Sequence, residues 1–321
     1  MSIGGGNVET VAVIGTGVIG NGWISRFLAQ GYRVVAFDPS EGAEERTRLA
    51  VEQAWPSLVH MGLSVNASTD RITFVDTIEA AVIDADLIQE NVPEREALKK
   101  SVLMSIDQHA KTDAIIASST SGIMPSTLQE GLQYPERLIV AHPFNPVYIL
   151  PLVELVGGKA TTPIVMERAN EFYLSIQMKP LIIKKEIEGH VADRLMEALW
   201  RESLHLVNDG IATTDEIDAA IIYGAGLRWA QMGPFMTFHL AGGEKGMRHM
   251  LEQFGPALKL PWTKLEAPEL TNELKEKVIE GCETQAGNDS VADLEVKRND
   301  FLVKLLDLVE EYWDVPEAVS K

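Results

Sequence analysis

Cysteine is almost missing from this sequence: Cys282 is the only one among 321 residues. No intrachain disulfide can form, and a cysteine-based zinc site is excluded. The thiol lies in Glu-Gly-Cys-Glu, where flanking carboxylates disfavour the thiolate, so it reads as inert. Positive charge is scarce as well, with 28 Lys and Arg against 47 Asp and Glu, a net charge of −19. A chain this acidic repels phosphate backbones and anionic headgroups, which argues against nucleic acid or a membrane surface as partner. The remaining acidity reads as a solubility feature. No apolar run approaches the roughly 18 residues of a membrane span. Residues Met1–Asn7 show neither the basic nor the long apolar stretch of a secretory leader, so a cytoplasmic location is expected. No spacing of histidines and carboxylates reads as a metal site.

What is present is ordinary for a globular chain, with 45% hydrophobic and 23% charged residues. At roughly 100–200 residues per domain, the length favours two domains. Thr10-Val-Ala-Val-Ile-Gly15 is a short apolar run ending in glycine, which suits a strand buried on both faces. Val18–Gln30 carries Ile19, Trp23, Phe27 and Leu28 at helical spacing, and Gly31 stops it. Arg33–Asp38 is a second apolar run, completing a β-α-β unit. Further strand-like runs at 71–75, 85–89, 114–118 and 137–141 alternate with helical patterns at 41–61 and 94–110. Runs at 152–156 and 180–184 follow, with a helix over 163–176 between them. Beyond Gly189 the pattern is helix after helix, from 191–208 through an N-cap at Thr214 with acids in the following turn to a last helix over 294–313. The expectation is an α/β chain: a Rossmann-type, doubly wound, mostly parallel sheet over residues 1–187, then an all-α second domain over 188–321.

Gly15-Thr-Gly17-Val18-Ile19-Gly20 stands between the first strand and the first helix. In such a turn Gly15 permits the tight bend, Gly17 lets a pyrophosphate approach the backbone and Gly20 allows close helix packing. The helix N-terminus opening at Val18 and Ile19 offers amide donors to phosphate. Asp38 follows 23 residues after Gly15, at the end of the second strand, where a carboxylate accepts bonds from ribose hydroxyls. That carboxylate would repel a 2′-phosphate, and Pro39-Ser40-Glu41 supplies no arginine, so NAD is favoured over NADP.

His142-Pro-Phe144-Asn145-Pro-Val-Tyr148 follows a predicted strand, at the carboxyl edge where open α/β sheets bind ligands. A histidine titrates near neutrality and is suited to removing a hydroxyl proton. Glu154, 12 residues on, is a carboxylate able to fix its tautomer. The set Gly15-x-Gly17-x-x-Gly20, Ser119-Thr-Ser121, His142-x-Phe144-Asn145-Pro146 and Leu152-Val-Glu154 resembles the 3-hydroxyacyl-CoA dehydrogenase family. The resemblance implies a nucleotide domain followed by a helical dimerisation domain, and therefore a homodimer. It also implies His142 as base, Glu154 as its partner, and Ser121 and Asn145 near the substrate oxygen and nicotinamide. Glu94 and Lys99 look like the family's cofactor-side pair.

One departure bears on the substrate. The family usually has Gly-Phe-x-x-Asn-Arg at the start of the second domain, whereas this chain has Gly189-His190-Val-Ala-Asp193-Arg194. A carboxylate in place of the amide is unfavourable beside an anionic CoA ester and suits a cationic substrate; the alternative is that Asp193 only pairs with Arg194 or Arg201. Second-half segments such as Glu197–Glu202, Gly224–Ala230 and Leu240–His249 narrow the resemblance to members acting on a small quaternary-ammonium hydroxy acid. A quaternary ammonium donates no ordinary hydrogen bond, so aromatic faces and carboxylates must recognise it. Phe144, Tyr148, Trp200, Trp229 and Phe254 are candidates beside Asp193, although most aromatics at helical spacing are simply core. Arg194, Arg201, Arg228 or Lys99 are open choices for a substrate carboxylate. Relatives acting on L-gulonate or on 3-hydroxybutyryl-CoA share the core motifs and are the rival readings. A silent nucleotide-binding protein is the rival from another class, and it has no need of His142 and Glu154.

Overall fold

The computed structural model describes residues 8–312, except 232, 257–259, 265–268, 270, 277–278, 280–283 and 285–286. The N-terminal segment, Cys282 and Trp313 discussed above lie outside the described residues. The chain divides into two compact units, Met1–Arg194 and Leu195–Lys321.

The first unit is built on one eight-stranded sheet in the order β3-β2-β1-β4-β5-β6-β7-β8. The strands are β1 Thr10–Ile14, β2 Arg33–Phe37, β3 Ile72–Phe74, β4 Leu87–Glu90, β5 Ile115–Ser118, β6 Leu138–Pro143, β7 Leu152–Gly157 and β8 Lys179–Ile183. Pairing is parallel from β3 through β6, antiparallel between β6 and β7, and parallel again to β8. Side chains of β1 alternate between two cores. Val11 and Val13 join Trp23, Phe27 and Tyr173 on one face, while Ala12 and Ile14 join Leu103, Ile106 and Leu128 on the other. Both faces are covered, which is why these strands appear in the sequence as unbroken apolar runs.

The helices of this unit are α1 Val18–Ala29, α2 Ala43–Met61, α3 Ile78–Val82, α4 Glu96–His109, α5 Pro125–Leu128 and α6 Pro163–Ser175. The short helices α3 and α5 leave too little periodicity to be foreseen. Helix α2 starts at Ala43 rather than Glu41, because Gly42 takes a left-handed φ of +71° and cannot belong to the first turn. The second unit is helical. Helix α7, Ala192–Asn208, is followed by α8 Thr214–Ala220, a π segment at Ile221–Ala225, then α9 Gly226–Gln231, α10 Pro234–Ala241, α11 Gly246–Phe254 and α12 Val291–Tyr312. The cap of α8 is Thr213, one residue before the expected Thr214, and it forms a capping box with Glu216. Among the described residues no helix is long and apolar enough to cross a membrane, and no group of three or more His, Cys, Asp or Glu could hold a metal ion.

Candidate active site

The strand order reverses at β1, which lies between β2 and β4, and a crevice opens at the carboxyl ends of these strands. It is a cleft of about 710 Å³, and Gly15, Gly17, Asp38, Glu94, Lys99 and Ser121 are among its lining residues, as are Val18 and Ile19. Each glycine of the turn has its own cause. Gly15 has φ +89°, and a Cβ there would lie 2.9 Å from the Asn91 backbone. A Cβ on Gly20 would meet the Gly15 carbonyl oxygen at 2.0 Å, so the turn itself, rather than the packing of helix on strand, demands this glycine. A Cβ on Gly17 would meet nothing within 4 Å, so its backbone faces open space in which a pyrophosphate could sit.

Asp38 accepts from the Thr16 N–H at 2.8 Å and the Ser40 N–H at 2.9 Å. Burial pushes this carboxyl up, yet the hydrogen bonds from Thr16 and Ser40 outweigh it and hold the group below the usual carboxylate range. It therefore faces the cleft as an anion, which suits ribose hydroxyls and not a 2′-phosphate.

Lys99 is not available to a substrate carboxylate. Its side chain is only 2% exposed and lies 2.9 Å from Glu90 Oε1 and 3.5 Å from Glu94 Oε2. Glu90, one residue beyond the expected strand 85–89 and not foreseen as a site residue, thus neutralises the cation on the cleft floor. Glu94 also accepts from the Thr120 hydroxyl and from the Ser121 N–H, tying the loop after β5 to the cleft wall.

The second cluster forms where β6 and β7 run antiparallel. Register sets His142 directly opposite Glu154, so both side chains project from the same face. Nδ1 of His142 lies 3.0 Å from Glu154 Oε2. Glu154 is completely buried, and its Oε1 accepts from the Val191 and Ala192 N–H groups at 2.9 Å each, at the start of α7. Burial pushes the Glu154 carboxyl up, but the bonds from His142, Ala192 and Val191 prevail and hold it below the usual range. An ionised Glu154 can only accept, so Nδ1 of His142 carries a proton and Nε2 is the nitrogen left to exchange one.

Nε2 of His142 lies 3.6 Å from Asp193 Oδ2, a carboxylate that is 27% exposed. Of the two arginines considered as its partners, Arg194 donates to the Glu188 carbonyl and Arg201 to the Glu197 carboxylate. Phe144 packs edge-on to the His142 ring with centroids 4.9 Å apart. Asn145 follows it and is itself exposed, whereas Pro146, Val147 and Ile149 beyond it are buried, their course pinned by Arg26. That guanidinium is buried, lowered by burial to about 10, and donates to the carbonyls of Val147 and Ile149. Tyr148 instead packs with Ala29, Ala54 and Leu58, against α1 and α2. Trp200, Trp229 and Phe254 belong to the second unit, where all three are exposed and so are not core residues there.

Comparison with known proteins gives this geometry its family. Residues 10–187 match the model of the 3-hydroxyacyl-CoA dehydrogenase NAD binding domain, and residues 189–281 match that of the C-terminal domain. The chain belongs to the 3-hydroxyacyl-CoA dehydrogenase family. It is an NAD-dependent 3-hydroxy acid dehydrogenase, and its sheet is the Rossmann-type nucleotide unit. It is 72% identical over 306 residues to an L-carnitine dehydrogenase of Oceanobacillus iheyensis, covering 95% of this chain and 100% of that one. It is 65% identical over 312 residues to an L-carnitine dehydrogenase of Bacillus cereus, covering 97% and 96%. Among solved structures it resembles 5-formyl-3-hydroxy-2-methylpyridine 4-carboxylic acid 5-dehydrogenase, an NAD+-dependent dismutase. The TM-score is 0.79 at 28% identity, over 95% of this chain and 99% of that one. The residues of this dehydrogenase's cleft fit NAD: open backbone at Gly17, an ionised Asp38 and a floor whose lysine is already neutralised.

Proposed function

We propose that this dehydrogenase oxidises the 3-hydroxyl of L-carnitine to 3-dehydrocarnitine, with His142 as general base. The observation that carries the reading is the carboxylate of Asp193, 3.6 Å from His142 Nε2. Carnitine holds its trimethylammonium one methylene from the carbinol carbon, so a hydroxyl bound at Nε2 brings the cation within reach of Asp193. The same carboxylate would face the neutral carbonyl of an acyl-CoA thioester, where it can donate nothing and disfavours developing negative charge. The relatives named L-carnitine dehydrogenase, which match 95% and 97% of this chain, agree with this chemistry.

NAD, when bound in the cleft, supplies the hydride acceptor. His142 takes the hydroxyl proton on Nε2, and Glu154 both fixes the ring and offsets the positive charge that forms on it. Ser121 and Asn145 hold the substrate oxygen. Phe144, edge-on to the ring, limits its rotation. Gly15, Gly17, Val18, Ile19 and Gly20 form the phosphate turn, Asp38 holds the ribose, and Glu94 and Lys99 order the loop bearing Ser121 on the cofactor side. Residues 1–187 act as the NAD-binding domain and 188–321 as the helical substrate and dimerisation domain of a cytoplasmic homodimer. The apolar residues exposed along α7, Leu195, Met196 and Leu199, support a partner subunit.

The test is NADH absorbance with L-carnitine, D-carnitine, L-gulonate and 3-hydroxybutyryl-CoA measured side by side. Turnover of L-carnitine is expected; turnover of the CoA ester without carnitine overturns the substrate reading.

A further inference from the structure

The chemistry above leaves one buried group at the site unused. His190 is fully buried, and its ring lies 5.6 Å from that of His142 at an interplanar angle of 50°. Its backbone φ is +48°, directly after Gly189 at +70°. A side-chain-bearing residue in left-handed backbone persists only where its surroundings fix it, and such residues gather at functional sites. Nε2 lies 3.3 Å from the Thr120 carbonyl, which can only accept, so Nε2 carries the proton and donates. Nδ1 is then a bare lone pair, with no hydrogen-bonding partner among the described residues. A phenylalanine would fill the same space without that orphan nitrogen, which buried sites ordinarily avoid. Packing alone therefore does not account for the imidazole.

The connections through His190 are specific. Its neighbours in the same turn, Val191 and Ala192, hold Glu154 through their N–H groups. Its side chain holds Thr120, which precedes Ser121 and whose hydroxyl donates to Glu94 on the cleft wall. Burial and the nearby His142 push His190 below the ordinary histidine range, while Thr120, Glu154 and Asp193 act in the opposite direction, and the net result is a neutral ring.

We propose that His190 is a positioning residue that locks the loop bearing Ser121 in register with His142, so that base and hydroxyl converge on one substrate oxygen. This rests on the reading of His142 as the base. The turn 189–192 then holds both halves of the reacting centre, Glu154 through backbone and the serine loop through the imidazole.

The experiment compares wild type, His142→Ala, His190→Phe and His190→Gln in steady-state oxidation of L-carnitine, with thermal unfolding of each. Phenylalanine keeps the ring and deletes the donor; glutamine keeps an amide donor at similar reach. Loss of one oriented hydrogen bond predicts that His190→Phe lowers kcat about tenfold, with KM for carnitine and NAD within about threefold. His190→Gln should recover a large part of that loss. A His190→Phe kcat within about twofold of wild type overturns the proposal while leaving the base intact. Equal losses in both variants, tracking equal drops in Tm, also overturn it, because the ring would then act only by packing. Near-normal kcat in His142→Ala, or no carnitine turnover by wild type, overturns the proposal together with the reading beneath it.

Discussion

Two carboxylates meet the His142 imidazole at its two nitrogens, and they differ in burial and hence in role. Glu154 at Nδ1 is fully enclosed and hydrogen-bonded on both oxygens, whereas Asp193 at Nε2 is part-exposed. Asp193→Asn keeps the shape and removes the charge, and it is expected to raise KM for L-carnitine about tenfold with kcat within about threefold. Initial rates at two ionic strengths check this: wild-type KM should rise with salt and the variant's should not. An unchanged KM would take the cation contact away. Glu154 makes a different prediction. Its carboxyl is held below the usual range when folded, so its stabilisation is present above the ordinary carboxylate pKa and lost as pH falls through the depressed value. Urea midpoints between about pH 5 and pH 3 should fall less steeply for Glu154→Gln than for wild type. The pairing of His142 with Glu154 was legible only as a family spacing; its cause is the antiparallel register that sets the two opposite each other.

The strands of the nucleotide unit and its longer helices could be read to within a residue or two, because apolar runs covered on both faces leave few alternatives; the short helices α3 and α5 could not. The buried ion pairs between those elements could not. Asp107 on α4 and Arg137 just before β6 are each 3% exposed and lie 2.9 Å apart, a pairing that no sequence pattern marks. Asp107 also accepts from the Gln133 N–H, so it anchors the turn leading into β6, the strand that carries His142. Asp107→Ala leaves a buried guanidinium without its carboxylate and should cost about 3–5 kcal/mol, read as a shift in urea midpoint at unchanged m. A cost below about 1 kcal/mol would mean that the carbonyls of Ala110 and Lys111 satisfy Arg137 without it.

The second unit leaves several large apolar side chains exposed. Leu195, Met196, Leu199, Phe235, Phe238 and Leu251 are all exposed on helices that the 3.6-residue pattern marks as amphipathic or fully apolar. A second copy of the chain is the expected cover, since closed two-fold pairs are the commonest assemblies. Gel filtration with light scattering at micromolar concentration should give a dimer, and Leu199→Glu on α7 should shift it toward monomer. A monomeric wild type would remove the dimerisation role proposed for residues 188–321. The net charge of −19 opposes nonspecific association of such surfaces, and one of those charges, Asp193, lies 3.6 Å from His142 Nε2.

Order along the chain was enough for the β-turn-α phosphate motif, the sheet class and the preference for NAD, since each depends on residues within one or two elements. Glycine spacing, apolar runs and a carboxylate at a strand end act through local backbone conformation and need no distant partner. The partners of the polar groups are different. Glu90 beneath Lys99, Thr120 against His190, and Asp193 facing His142 join residues 9, 70 and 51 positions apart. Those encounters follow from strand register and from the left-handed turn at 189–190, and their strength depends on burial that no linear pattern records.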